Sequence, residues 1–197
     1  EVTPLIDGSR YFPEIARHVA RLRPGDAWYL TGWVFDHTVR PTPAGRTFGE
    51  LLATAAARGV DVRVILWASR IVLSSTSAPF HGIVRLNVQS AEALRGATVG
   101  GTHPLAGRVL LDYSPGHLAS SHHQKTQVFV HGGVVTAFAG GIDVESLRLD
   151  GPPHAGVPTP WHDAAVRVRG SAGRAVLENF TTRWTEAATL TPATYDI

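Results

Sequence analysis

The sequence predicts an α/β fold, and three observations carry that prediction. An apolar, aromatic run at 27–35 is followed by an alanine-rich helical stretch at 48–58 and a second apolar run at 60–67, which is the order of a βαβ unit. Two more apolar runs, 125–130 and 134–139, flank His131-Gly132-Gly133, which is hairpin chemistry. The chain's 197 residues are enough to bury one core, so a single domain is expected.

Each element has its own signal. Asp7 and Ser9 offer caps ahead of a helix read over Ser9–Leu22, where Tyr11, Phe12, Ile15, Val19 and Leu22 recur at helical spacing. Pro24-Gly25-Asp26 reads as a turn into the first core strand, and 38–46 as loop. Gly59 closes the helix at 48–58. From Ser69 to Gly107 the pattern fades into a Ser-, Gly- and Pro-rich region with a short helix near Ser90–Leu94. It is expected to be an irregular insertion and a candidate substrate loop. Arg108–Tyr113 reads as a short strand. Gly140-Gly141, at the end of the second hairpin run, marks a place where backbone passes close to a neighbour. A loop over 151–160 then leads to an outer strand at Ala164–Arg169. A final helix follows from Gly170-Ser171 through Ala188, buried along Val176, Phe180 and Trp184.

Composition narrows the chemistry. Cysteine is absent, which excludes disulfides and thiolate metal sites. Methionine is absent even at position 1, so the polypeptide is expected to be a processed or excised piece, or to lack its start. A net charge of +2 and a pI near 9.4 favour an anionic substrate without demanding nucleic acid. No apolar run approaches the roughly 20 residues that span a bilayer, and no leader pattern is present. Peripheral membrane contact stays open. The ten histidines form no helical His-x-x-x-His pattern and no tight carboxylate cluster stands out, so neither a metal nor another cofactor is expected.

The stretch Ser120-Ser121-His122-His123-Gln124-Lys125-Thr126 is the candidate site. If a strand begins at 125, alternation points His123 and Lys125 to one side. Neutral imidazole is a nucleophile toward phosphorus, and an ammonium stabilises charge on the non-bridging oxygens. Of the 18 basic side chains, Lys125 is the only lysine, which suggests that a compact point charge matters there.

His123 and Lys125, Ala137–Asp143 with its Gly140-Gly141, then Arg148, Asp150 and His154, then Pro160-Trp161-His162-Asp163, and Asn179–Trp184 resemble in order and spacing the first half of the phospholipase D superfamily, closest to the phospholipases D. Trp33-Val34-Phe35-Asp36 is similar to the family's first core strand. The resemblance implies a mixed, mostly parallel sheet with helices on both faces. It also implies that 1–197 form one catalytic half-domain of a two-motif architecture. It implies a ping-pong reaction in which His123 takes the phosphoryl group as a phosphohistidine. Lys125 binds phosphate, Gly140, Gly141 and Asp143 line the phosphate pocket, His122 stands behind them, and Asp163 holds the tautomer of a catalytic histidine. Arg148, Asp150 and His154 match a stretch whose role is open, whereas Trp161 and His162 fit packing roles. Val130 occupies the slot of the family's usual motif aspartate, which braces the strand.

A complete site takes two His-x-Lys motifs and this chain has one. The partner is then a following segment of a longer two-motif enzyme, the favoured reading, or a second copy as in single-motif nucleases. A third alternative is a degenerate half that binds phosphate or phospholipid without turnover. The substrate expected is a phospholipid, with other phosphodiesters as alternatives and water or an alcohol as acceptor.

Overall fold

The computed structural model describes residues 1–113, 120–152, 154, 159 and 161–190. Its frame is a seven-stranded sheet built from β1 (Val2–Ile6), β2 (Ala27–Gly32), β3 (Asp61–Trp67), β4 (Val109–Asp112), β5 (Thr126–His131), β6 (Val134–Gly140) and β7 (Ala164–Arg169). The spatial order is β1-β7-β6-β5-β2-β3-β4. Five α-helices accompany it: α1 (Gly8–Arg21), α2 (Phe48–Ala57), α3 (Arg70–Leu73), α4 (His81–Gly96) and α5 (Ser171–Leu190).

The βαβ unit forms as predicted, with β2 and β3 parallel and α2 crossing between them. Thr47 starts α2 with a complete capping box to Glu50, and Gly59, at φ +89°, follows its end. The sheet is mixed, as expected. The parallel share is smaller than expected, however: among the described residues only β2–β3 and β3–β4 are parallel, and the other four ladders are antiparallel. The predicted hairpin accounts for one of the four. Gly132 and Gly133 both adopt positive φ, a two-residue turn that can only join antiparallel strands.

Two element readings are corrected. β7 is not the outer strand, because β1 pairs along its whole length and takes the edge; Pro4 sits there without breaking a central ladder. The region 69–107 is not an irregular insertion, since it holds α3 and the 16-residue α4. Val84, Val88, Ala91 and Leu94 bury one stripe of α4, but Asn87 and Ser90 are buried beside them and dilute the apolar signal. Asn87 is a clamp. Its amide donates to the carbonyls of Trp33 and Trp67 and accepts from Phe35 N–H, tying together the chain that leaves β2 and the end of β3.

Helices cover both faces. The main core packs α1, α2 and α4 against one side through Phe12, Trp28, Leu52, Leu66 and Phe138. On the other side α5 buries Phe180, stacked on Tyr29 at 4.8 Å, with Val176 and Trp184 beside it.

Candidate active site

The site lies where β2 and β3 end and β5 begins, at the carboxyl edge of the parallel strands. The side chains of His123 and Lys125 meet there. Lys125 Nζ is 3.2 and 3.3 Å from the two ring nitrogens of His123. It is almost equally far from both, so the ammonium sits against the whole imidazole and not at one nitrogen alone.

Lys125 is buried, and two groups hold it. Asp143 Oδ2 is 3.1 Å away and the Trp33 ring centroid lies 4.9 Å off, so a carboxylate and an aromatic face both favour the ammonium. Asp143 is fixed in turn by Val34 N–H, which donates to its Oδ1 at 2.9 Å. Burial pushes the Asp143 carboxyl up to about 6, against the pull of Lys125. Burial also lowers Lys125, with Asp143 opposing it. His123 is held below the ordinary imidazole range by burial and by the charges of Lys125 and Arg148, against Asp163. Its imidazole is therefore neutral near pH 7, as a nucleophile requires.

The other expected site residues fall in three places. Asp163 accepts from Arg148 at 2.8 Å and from Ala164 N–H at 2.8 Å; it makes no hydrogen bond to His123. His122 Nδ1 lies 2.7 Å from the buried Asp112 carboxylate, which also pairs with Arg183 of α5. Gly140 and Gly141 are sites of close approach, as their pairing suggested. A Cβ on Gly140 would stand 2.4 Å from Ala164 O and from Ala165 Cα, and one on Gly141 2.0 Å from Asp163 Oδ1. Neither glycine needs a left-handed backbone, so packing alone requires them. At the far end of β5, Val130 lies opposite Ala27. The bracing an aspartate would give there comes from Asp26, whose carboxylate accepts from Gly132 N–H at 3.0 Å and sits 2.6 Å from His131 Nδ1.

Sequence reasoning missed two sets of neighbours. Trp33, read only as part of a strand, packs its ring 4.3 Å from that of His123 and leads to Trp67 and Phe80. Asp7, His154 and His162 also converge, with one ligand atom from each within 4.8 Å of the others. Asp7 was expected to cap α1. It makes no cap bond there, and its carboxylate accepts instead from Asp163 N–H and lies 2.9 Å from His162 Nδ1. Asp150 backs His154 at 2.5 Å. One carboxylate and two imidazoles, one of them oriented by a second carboxylate, fit a divalent cation. The set is neither the helical His-x-x-x-His pair nor the carboxylate cluster that sequence was searched for. No signal was available in sequence, because Asp7 lies about 150 residues from its partners. Pro160, quoted with this motif, lies outside the described residues.

No protein-family model matches the chain. In sequence it is 27% identical over 199 residues to phospholipase D gamma 2 of Arabidopsis thaliana, covering 79% of this chain and 23% of that protein. It is 28% identical over 204 residues to phospholipase D alpha 2 of Oryza sativa subsp. japonica, covering 79% of this chain and 25% of that protein. In structure it superposes on phosphatidylserine synthase of Haemophilus influenzae with a TM-score of 0.58 at 12% identity, covering 92% of this chain and 36% of the other. This chain resembles the phospholipases D and has a phospholipase D-like fold. NucT of Helicobacter pylori shares the fold at a TM-score of 0.57 and 10% identity, and there the match covers 94% of this chain and 96% of the other. The chain spans about a quarter of the length of the curated relatives it matches. No helix among its described residues is long and apolar enough to cross a membrane.

Proposed function

We propose that this chain is the first catalytic half of a phosphodiesterase of the phospholipase D type, acting on phospholipid headgroups. One observation carries the reading most directly: a single buried lysine, paired with Asp143, stands beside a histidine whose imidazole is neutral at pH 7. The likeness to plant phospholipases D over about four-fifths of the chain supports the substrate class.

In this reading a ring nitrogen of His123 attacks phosphorus, and the bond from phosphorus to the headgroup oxygen breaks. The leaving oxygen takes a proton from a second histidine, supplied by another His-x-Lys motif. Water or an alcohol then displaces His123 from the phosphohistidine and gives up its proton to that same second group. Lys125 holds the non-bridging oxygens throughout, and its burial strengthens that interaction by excluding water. Asp143 keeps Lys125 charged and aimed. Asp163, through Arg148, sets the cationic surroundings of His123, a positioning role that replaces the direct histidine bond expected from sequence. His122, Gly140 and Gly141 shape the pocket wall. Peripheral contact with a lipid surface follows from the substrate.

The missing motif has two sources. A following segment of a longer protein fits the fraction of the plant relatives that this chain spans. A second copy of the chain fits the near end-to-end match to NucT, whose chain is about as long as this one. Replacement of His123 by Asn tests the catalytic reading: phosphatidylcholine turnover should be lost while inorganic phosphate still binds. Unchanged turnover would refute it, and phosphate binding with no turnover in the unsubstituted protein, once the second His-x-Lys motif is supplied, would make this a binding module.

A further inference from the structure

We infer that the aromatic wall Trp33–Trp67–Phe80 is the subsite for the diacylglyceryl group retained on phosphorus, so that this chain reads the lipid's acyl side while its headgroup is read elsewhere. The inference rests on the proposed phosphohistidine reaction, and four observations lead to it.

The wall is continuous with the nucleophile. The His123 ring lies 4.3 Å from Trp33, Trp33 stacks on Trp67 at 6.0 Å, and Phe80 stands edge-on to both at 5.6 and 6.4 Å. It also opens to solvent at its outer end, where Phe80 is 51% exposed, and the adjoining α3 shows Ile71. The opposite rim also carries an exposed ring, Trp161, but that one lies over the Arg148 guanidinium at 4.1 Å, whereas Phe80 is packed against Trp33 and Trp67. Third, Phe80 holds a left-handed backbone at φ +64° ahead of α4. A bulky residue keeps such a conformation only where the surroundings impose it, and such outliers gather at ligand sites. Fourth, Nε1 of Trp33 and Nε1 of Trp67 are buried and lack a hydrogen-bond acceptor. Closed off from solvent, those donors offer a ligand no contact, so the accessible part of the wall is apolar, and Trp67, 2% exposed, backs it from behind.

Reaction geometry assigns the side. In an in-line displacement the leaving oxygen lies opposite the nucleophile, and the substituents that stay on phosphorus lie around it. A wall touching His123 therefore meets a retained substituent and not the departing headgroup. Phosphatidyl transfer retains the diacylglyceryl ester. A retained nucleoside would also stack on aromatic rings, but it would draw on a cationic track along the strand, and the wall's outer end is Phe80 and Ile71.

Two series of substrates test this in the full protein: choline esters of phosphate whose retained group is glyceryl, dibutyroyl or dioctanoyl, and dioctanoyl lipids that differ in headgroup. Phe80→Ala should lower kcat/KM about tenfold for the dioctanoyl lipids, much less for glycerophosphocholine, and equally across headgroups. Phe80→Leu should recover most of the loss. A change in headgroup preference with no acyl dependence would overturn the assignment while leaving the phosphodiesterase reading intact. Cleavage of single-stranded DNA that falls with Phe80→Ala, with lipids unaffected, would reassign the wall to a base. Binding gives an arm independent of turnover. If dioctanoyl phosphatidylcholine binds His123→Asn protein about tenfold more tightly than the His123→Asn/Phe80→Ala variant, the subsite stands even where no lipid is turned over; equal affinities would remove it.

Discussion

Lys125 is pulled two ways, since burial favours the amine while the Asp143 carboxylate favours the ammonium. The same ammonium, with burial and Arg148, holds His123 below the ordinary imidazole range. The sign of the pH dependence follows. A nucleophilic His123 works when neutral, so activity should fall on the acid side through a pH below about 6.5. Lys125→Met removes one of the two cations that depress His123, so the acid limb of the pH profile should move to higher pH. Turnover at the optimum should drop about 10²–10³-fold. A histidine NMR titration reads the same shift directly, and movement to lower pH would show that Lys125 does not act on His123. At this scale the sequence revealed what is local. His123 and Lys125 were legible because strand alternation is short-range, and Asp143 came with the family resemblance. Trp33, Asn87 and the Asp7 cluster were not, because their contacts join positions from about 50 to more than 150 residues apart.

Among the elements, the β5–β6 hairpin positions the site and is pinned at both ends. At the turn, Asp26 accepts from three groups: Arg23 N–H at 2.8 Å, Gly132 N–H, and His131 in its Nδ1-protonated form. Its carboxyl is lowered to about 2, because these hydrogen bonds outweigh a burial that alone would raise it. A depressed carboxyl contributes stability above about pH 4 that is lost as pH falls toward 2. Asp26→Ala should therefore destabilise the fold by about 1–3 kcal/mol at pH 7 in urea titrations, and by less at pH 2. At the other end the two glycines admit β7. Gly141→Ala should cost about 1–3 kcal/mol by displacing Asp163 from Arg148, and Gly140→Ala more, because its Cβ would meet backbone that cannot swing aside. Thermal unfolding of the two variants ranks them. The hairpin and the βαβ unit were legible because turn glycines and apolar runs carry them. Helix α4 was obscured by Asn87 and Ser90 on its buried face, and β1 by its five-residue length and Pro4.

For the molecule as a whole, one sheet presents a single His-x-Lys pair at the carboxyl edge of its parallel strands, and the proposed chemistry needs two. Light scattering separates the two sources of the second pair. A stable dimer predicts turnover by this chain alone, and a monomer predicts turnover only with the segment that carries the other motif. The α/β class followed from patterns spread along the chain, and the helices on both faces from the family resemblance. The balance of parallel and antiparallel ladders did not, because β7 and β1 find their partners only after the long return from β6. The nucleophile itself can be caught. In a preparation that turns over phosphatidylcholine, an alkaline quench followed by mass spectrometry of the peptide containing residues 120–130 should find a phosphatidyl adduct on His123, absent in His123→Asn. Steady turnover with no adduct there, or an adduct on another residue, would contradict the assignment of His123 as the attacking group.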